Sequence, residues 1–193
     1  LLWFDLVQID SLIPMGSSVN LKENPKFRVK AVGAFEQNAG CPDYTSTNIT
    51  EEEIEKICKN ECYNPSDTRK NISRIEVVKI TPQISEEEKI NDLIIDSWKT
   101  FDCKPNQQGC EVEFTDEGFT TLSRDSIYYV RAIQEPSPVV NGGNLRCTYN
   151  DKGECIKVNI CYGDSRTDKE DDCLSLSEER AWSSPIYVNF NRI

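Results

Sequence analysis

Four aspartates, Asp164, Asp168, Asp171 and Asp172, form the one acidic cluster in the sequence with the character of a hard-cation site. Calcium needs several oxygens converging from a turn, and a polar loop of this composition could supply them. The spacing is not that of an EF-hand loop, and acidic runs are commonly just solvated. The expectation is therefore no cofactor in this chain, with calcium at these aspartates as the weaker alternative. Glu111 and Glu113 lie two apart in an alternating segment, so they share one face of a strand. A carboxylate pair can do acid/base work, but on such a strand it reads first as a solvated face.

The 193 residues include no histidine, which removes Ser-His-Asp and Cys-His nucleophile pairs and every His-ligated metal. No P-loop, nucleophile elbow or dinucleotide fingerprint is present, and Asn141-Gly142-Gly143-Asn144 is too short to stand in for one. No catalytic residue is expected. A net charge of −11 leaves no basic stripe to neutralise phosphates, which excludes nucleic acid and disfavours anionic membrane surfaces. No apolar run is long enough to span a bilayer, so no membrane insertion is expected.

The nine cysteines are the most informative count. Zinc sites need a second knuckle, and only Cys58 and Cys62 approach that spacing. Disulfides in an oxidising compartment fit better, and with them a secreted or periplasmic location. Cys103 and Cys110 enclose a turn with Pro105 and Gly109, and closing so short a loop contributes at most about 2–3 kcal/mol. Cys147 faces Cys155 across a hairpin that turns near Asp151, which leaves Cys161 for Cys173. Cys41 is expected to pair with Cys58 or Cys62, and the remaining thiol is the odd one.

These groups sit on a mainly β chain. Phe27 to Ala31 alternates as a half-buried strand, as does Glu111 to Phe114. Ile72 to Ile80 and Ile127 to Ile133 carry bulky residues on both faces, and the latter reads as a central strand. Ile186 to Phe190 supplies the last strand. Thr50 with Glu53 is a capping box that opens a short helix, and Ser85 with Glu88 repeats the pattern for a second helix reaching about Ile95, with a β-hairpin arm as the competing reading. The spacing predicts a β-sandwich, immunoglobulin-like, with two short helical insertions. One domain is expected over 1–193, with 1–16 as an arm packing on a missing upstream catalytic domain and 139–176 as a disulfide-stapled excursion. Asn48-Ile-Thr50 and Asn71-Ile-Ser73 match glycosylation sequons, read here as chance in an Asn-rich chain. Trp182 is expected to cover the end of the core.

Several segments carry a wider pattern. Tyr128-Tyr-Val-Arg-Ala-Ile-Gln-Glu-Pro136, Asn141-Gly-Gly-Asn-Leu-Arg-Cys147, Cys161-Tyr-Gly-Asp164, Asp171-Asp-Cys-Leu174 and Glu178-Glu-Arg-Ala-Trp-Ser-Ser-Pro-Ile186 together resemble the C-terminal region of a family of large exported bacterial proteins of unknown function, related to the PHP-type metal-dependent phosphoesterases. The resemblance is specific from Tyr128 to Val188 and weak between Gln37 and Thr68. PHP relatives hold their metals through His and acidic residues of an upstream barrel, and no such motif can be matched here. The resemblance therefore implies a non-catalytic accessory domain of a larger hydrolase-like protein, with the upstream domain as partner. A secreted binding module for glycan, cell wall or host protein is the alternative, and a carboxylate-based hydrolase comes third.

Overall fold

A computed structural model of the chain describes residues 1–58, 62, 64–140, 146–159 and 173–191. In chain order, β1 (Leu2–Gln8), β2 (Ser11–Pro14), β3 (Ser18–Leu21), β4 (Lys26–Ala31) and β5 (Phe35–Gln37) lead to a 3-10 turn and then to α1 (Glu51–Cys58). Next come β6 (Pro65–Arg69), β7 (Ile72–Ile80), the one-turn α2 (Ile90–Leu93), β8 (Ile94–Asp102), β9 (Cys110–Thr115), α3 (Phe119–Leu122) and β10 (Ser126–Gln134). The chain closes with β11 (Ser137–Val140), β12 (Cys147–Tyr149), β13 (Cys155–Val158), β14 (Leu174–Ser177), β15 (Arg180–Trp182) and β16 (Ile186–Phe190).

Two sheets face each other. The smaller runs β2-β1-β4-β9, and the larger runs β3-β16-β10-β7-β8, with β15 also paired to β10. In immunoglobulin lettering the smaller is A–B–E with a hairpin strand added at its edge, and the larger is G–F–C with C′ beyond it. The expected mainly β sandwich is present.

Alternation decides which residues meet between the sheets. Phe4, Leu6, Phe27, Val29 and Ala31 point inward from the smaller sheet, and Ile75, Val77, Tyr128, Val130 and Ala132 from the larger. Phe27 sits at the centre, its ring 4.7 Å from Tyr128, 5.2 Å from Phe114 and 5.3 Å from Phe4. Offset aromatic contacts of this kind add to the burial of their area. Residues 1–16 are thus not an arm: β1 is a full member of the smaller sheet, and its Phe4 and Leu6 are buried in this domain's own core.

The second expected helix is also corrected. Glu88 turns its carboxylate to the Ile84 backbone and to Arg124 instead of starting a helix, and only Ile90–Leu93 is helical. The following residues form β8, paired with β7 from Ile94 to Asp102, so the hairpin reading prevails. The first helix matches its capping box: Glu53 N–H donates to Thr50 Oγ1 (3.3 Å), and Thr50 N–H donates to Glu53 Oε2 (3.0 Å).

Three bridges join described residues: Cys41–Cys62, Cys103–Cys110 and Cys147–Cys155. Cys58 is a free, half-buried thiol. Cys173 is disulfide-bonded, while Cys161, its expected partner, lies outside the described residues. Gly109 shows why the first small loop needs its glycine: its φ is +96°, and a Cβ there would lie 2.1 Å from the Ala31 carbonyl oxygen. No helix among the described residues is long and apolar enough to cross a membrane.

Candidate functional site

One cluster of ionisable groups is buried between the sheets. Lys79 follows Ile75 and Val77 at the same parity along β7, which turns its side chain into the core. Asp116 begins the turn between β9 and α3, and Tyr128 stands opposite Lys79 in the β10–β7 register. Lys79 is 6% exposed, Asp116 2% and Tyr128 0%. Lys79 Nζ contacts Asp116 Oδ2 at 2.5 Å, and the Tyr128 hydroxyl donates to the same oxygen at 2.6 Å. The second carboxylate oxygen, Oδ1, accepts from the Gly118 backbone N–H at 3.0 Å. The ammonium also lies 5.3 Å from the Trp98 ring centroid, within cation–π range.

The position in the fold explains much of this. A tyrosine near the start of the sixth sandwich strand commonly ties back to the corner that precedes it. Here Tyr128 reaches the Asp116 side chain, which fixes the turn between the two sheets. Burial, and then the hydrogen bond to Asp116, push the phenol well above its ordinary range, so it stays a donor. The main clefts are lined by other residues. One of about 260 Å³ lies against Leu1, Val32, Ile72, Gln134 and Arg180, and one of about 700 Å³ lies against Phe35, Lys70, Glu135 and Glu179.

The second arrangement lies on the outer face of the larger sheet. Pairing sets Tyr187, Ile127, Ile80 and Ile94 side by side across four strands, and Trp182, Arg131, Glu76 and Thr100 across four strands further along. Tyr129 and Val78 pair between these two rows. Tyr187 is 43% exposed, Ile94 44% and Trp182 60%. Trp182 therefore does not cover the end of the core: its partner Arg131 alternates with the inward-facing Val130 and Ala132, and this parity places the indole outside. Glu76 holds two arginines, Arg74 at 2.8 Å and Arg131 at 2.7 Å. Arg131 reaches Asp96 at 3.0 Å, and Arg74 grips Glu178 with both terminal nitrogens at 2.7 and 2.9 Å. The bidentate hydrogen bonds from Arg74 hold the Glu178 carboxyl below its ordinary range.

The residues singled out from sequence divide. Glu111 and Glu113 do share the outer face of the smaller sheet. Glu113 is bound there by Lys26 (2.6 Å) and Arg28 (2.8 Å), whose hydrogen bonds hold its carboxyl below the ordinary range. Asp164, Asp168, Asp171 and Asp172 lie outside the described residues, as does Asn141-Gly142-Gly143-Asn144. Among the described residues no group of three or more His, Cys, Asp or Glu is placed to hold a metal. Asn48 is exposed, whereas Asn71 donates from its side-chain amide to both oxygens of Glu135 at 3.3 and 3.2 Å. The Lys79–Asp116–Tyr128 cluster was not anticipated. The parity of a lysine inside Arg74-Ile-Glu-Val-Val-Lys-Ile80 was the available signal.

No protein-family model, curated protein or solved structure matches the chain.

Proposed function

We propose that this chain is a non-catalytic accessory domain of a larger exported protein, of the PHP-related kind its sequence resembles, and that it docks through the outer face of its larger sheet. The observation that carries this reading is the apolar row Tyr187, Ile127, Ile80 and Ile94 beside Trp182, exposed at Tyr187, Ile94 and Trp182 and half-buried at Ile127 and Ile80. Large apolar side chains gathered on one sheet face, rimmed by paired charges, are what an interaction surface looks like. The three bridges among described residues support an oxidising compartment. The buried lysine–aspartate–tyrosine cluster is enclosed between the sheets and offers a substrate no approach. The test compares the full-length parent protein with a Trp182→Ser/Tyr187→Ser variant. The variant should keep the melting behaviour of the domain and lose its association with the upstream part, read by limited proteolysis between the two. Unchanged association rules out this face.

A second reading has its own support. Tyr187, Tyr129 and Trp182 follow one another along the same face, and their neighbouring charges are already paired with each other. Aromatic rings with an apolar face and a polar rim suit a neutral glycan. Co-sedimentation of the chain with insoluble polysaccharides, abolished by Trp182→Ser, would favour this binding module over the accessory role.

A further inference from the structure

The structure assigns a modification site to the interior of the sandwich: we propose that Lys79 and Asp116 condense into an intramolecular amide that clamps β7 to the turn after β9. Proximity comes first. Lys79 Nζ is 2.5 Å from Asp116 Oδ2, which leaves the carbonyl carbon one bond further on. Both side chains are nearly inaccessible, at 8% and 3% exposure, so the amine and the carboxyl are held together continuously with water largely excluded. Holding two reactants in one geometry replaces a bimolecular encounter by an effectively unimolecular step. An ion pair taken out of water also carries a desolvation penalty that a neutral product does not.

The remaining atoms match what the step requires. Gly118 N–H donates to Oδ1 at 3.0 Å, where it can stabilise negative charge on the oxygen that stays behind. The Tyr128 hydroxyl donates to Oδ2 at 2.6 Å, the oxygen that departs. The Lys79 ammonium passes a proton to Oδ2 along their hydrogen bond, and the freed amine attacks Cγ. The Nζ–Cγ bond forms and the Cγ–Oδ2 bond breaks. Nζ gives up two protons in all, both end on Oδ2, and that oxygen leaves as water. One positive and one negative charge disappear together, nothing is oxidised or reduced, and no further reactant enters. The Trp98 and Tyr128 rings lie 5.3 and 5.9 Å from the lysine nitrogen, an aromatic lining suited to a neutral amide.

The full chain, purified, reduced, alkylated and denatured, tests this by intact mass. The expected result is a mass lower by one water than the alkylated sequence. Tryptic digestion should then yield a branched peptide in which residues 75–89, uncut after Lys79, are joined to residues 100–124. Lys79→Arg keeps a cation beside Asp116 but removes the amine, and its mass should equal that of its own sequence. Tyr128→Phe should slow cross-linking when unfolded, uncross-linked chain is refolded and sampled over time. A wild-type chain of full sequence mass, cut normally after Lys79, overturns the proposal. Loss of water that persists in Lys79→Arg overturns the assignment to this pair.

Discussion

The two outward faces of the sandwich are built by the same alternation and have opposite characters. On the smaller sheet, β4 presents Lys26, Arg28 and Lys30 beside Glu111 and Glu113 of β9, so a basic strand lies against an acidic one in open solvent. On the larger sheet, the corresponding positions hold isoleucines, tyrosines and a tryptophan, and the charges among them are half-buried. Exposed ion pairs contribute little and are screened by salt, whereas a carboxylate shared by two partly desolvated arginines is expensive to remove. An alternating pattern thus tells which residues face outward and leaves open what the outward face is for.

The sharpest way to break this contrast is to truncate a buried residue on the outer side. Ile133 is fully buried although it lies on the face away from the main core. Ile133→Ala should cost about 2–5 kcal/mol in urea denaturation. Arg28→Ala on the opposite face should stay under about 1 kcal/mol. If the two variants melt alike, the outer face of the larger sheet is as solvated as the other one.

Glu76→Gln comes next, because it leaves Arg74 and Arg131 without their shared counter-charge. A loss of about 1–3 kcal/mol is expected, persisting in high salt. A loss that salt abolishes would make this network an ordinary surface one.

Acid separates the faces less strongly. The carboxyls of Glu178 and Glu113 are both held below the ordinary glutamate value of 4.5 by their basic partners. Their contribution is therefore complete above that value and is lost as pH falls through the lower folded values. Glu178→Gln should flatten the decline in stability below about pH 4.5 more than Glu113→Gln does, since Arg74 is the less exposed partner. The smallest effect belongs to Glu113→Gln at neutral pH and physiological salt, where the melting temperature should not move measurably.

The main strands were legible because their burial is periodic: Phe27 to Ala31 alternates, and Ile127 to Ile133 carries bulky residues on both sides because one face meets the core while the other holds the half-buried Ile127 and Tyr129 and the buried Ile133. The helix after Thr50 was legible because its cap is local. What escaped depends on distant partners. The strand from Ile94 to Asp102 takes its form from pairing with β7, while its own beginning carries a helix-start pattern that Glu88 spends on Arg124 instead. The opening strand hid in an apolar stretch whose core lies more than twenty residues downstream. Lys79, Asp116 and Tyr128 are 37 and 12 residues apart, so no spacing rule brings them together. Trp182 was misplaced because its exposure follows from parity with Arg131, which only the pairing reveals.

The parallel pairing of β16 with β3 has a consequence for how the chain comes into being. Asn189 donates to the side chains of Ser18 and Asn20, partners 171 and 169 residues away in sequence. The edge formed by β3 stays open until the final strand has been synthesised and has found its slot beside β10. Contacts of such long range are slow to form, because loop-closure entropy must be met before they repay it. Closure of the larger sheet is therefore timed by the arrival of its last five residues, and a chain that lacks them leaves β3 without its neighbour.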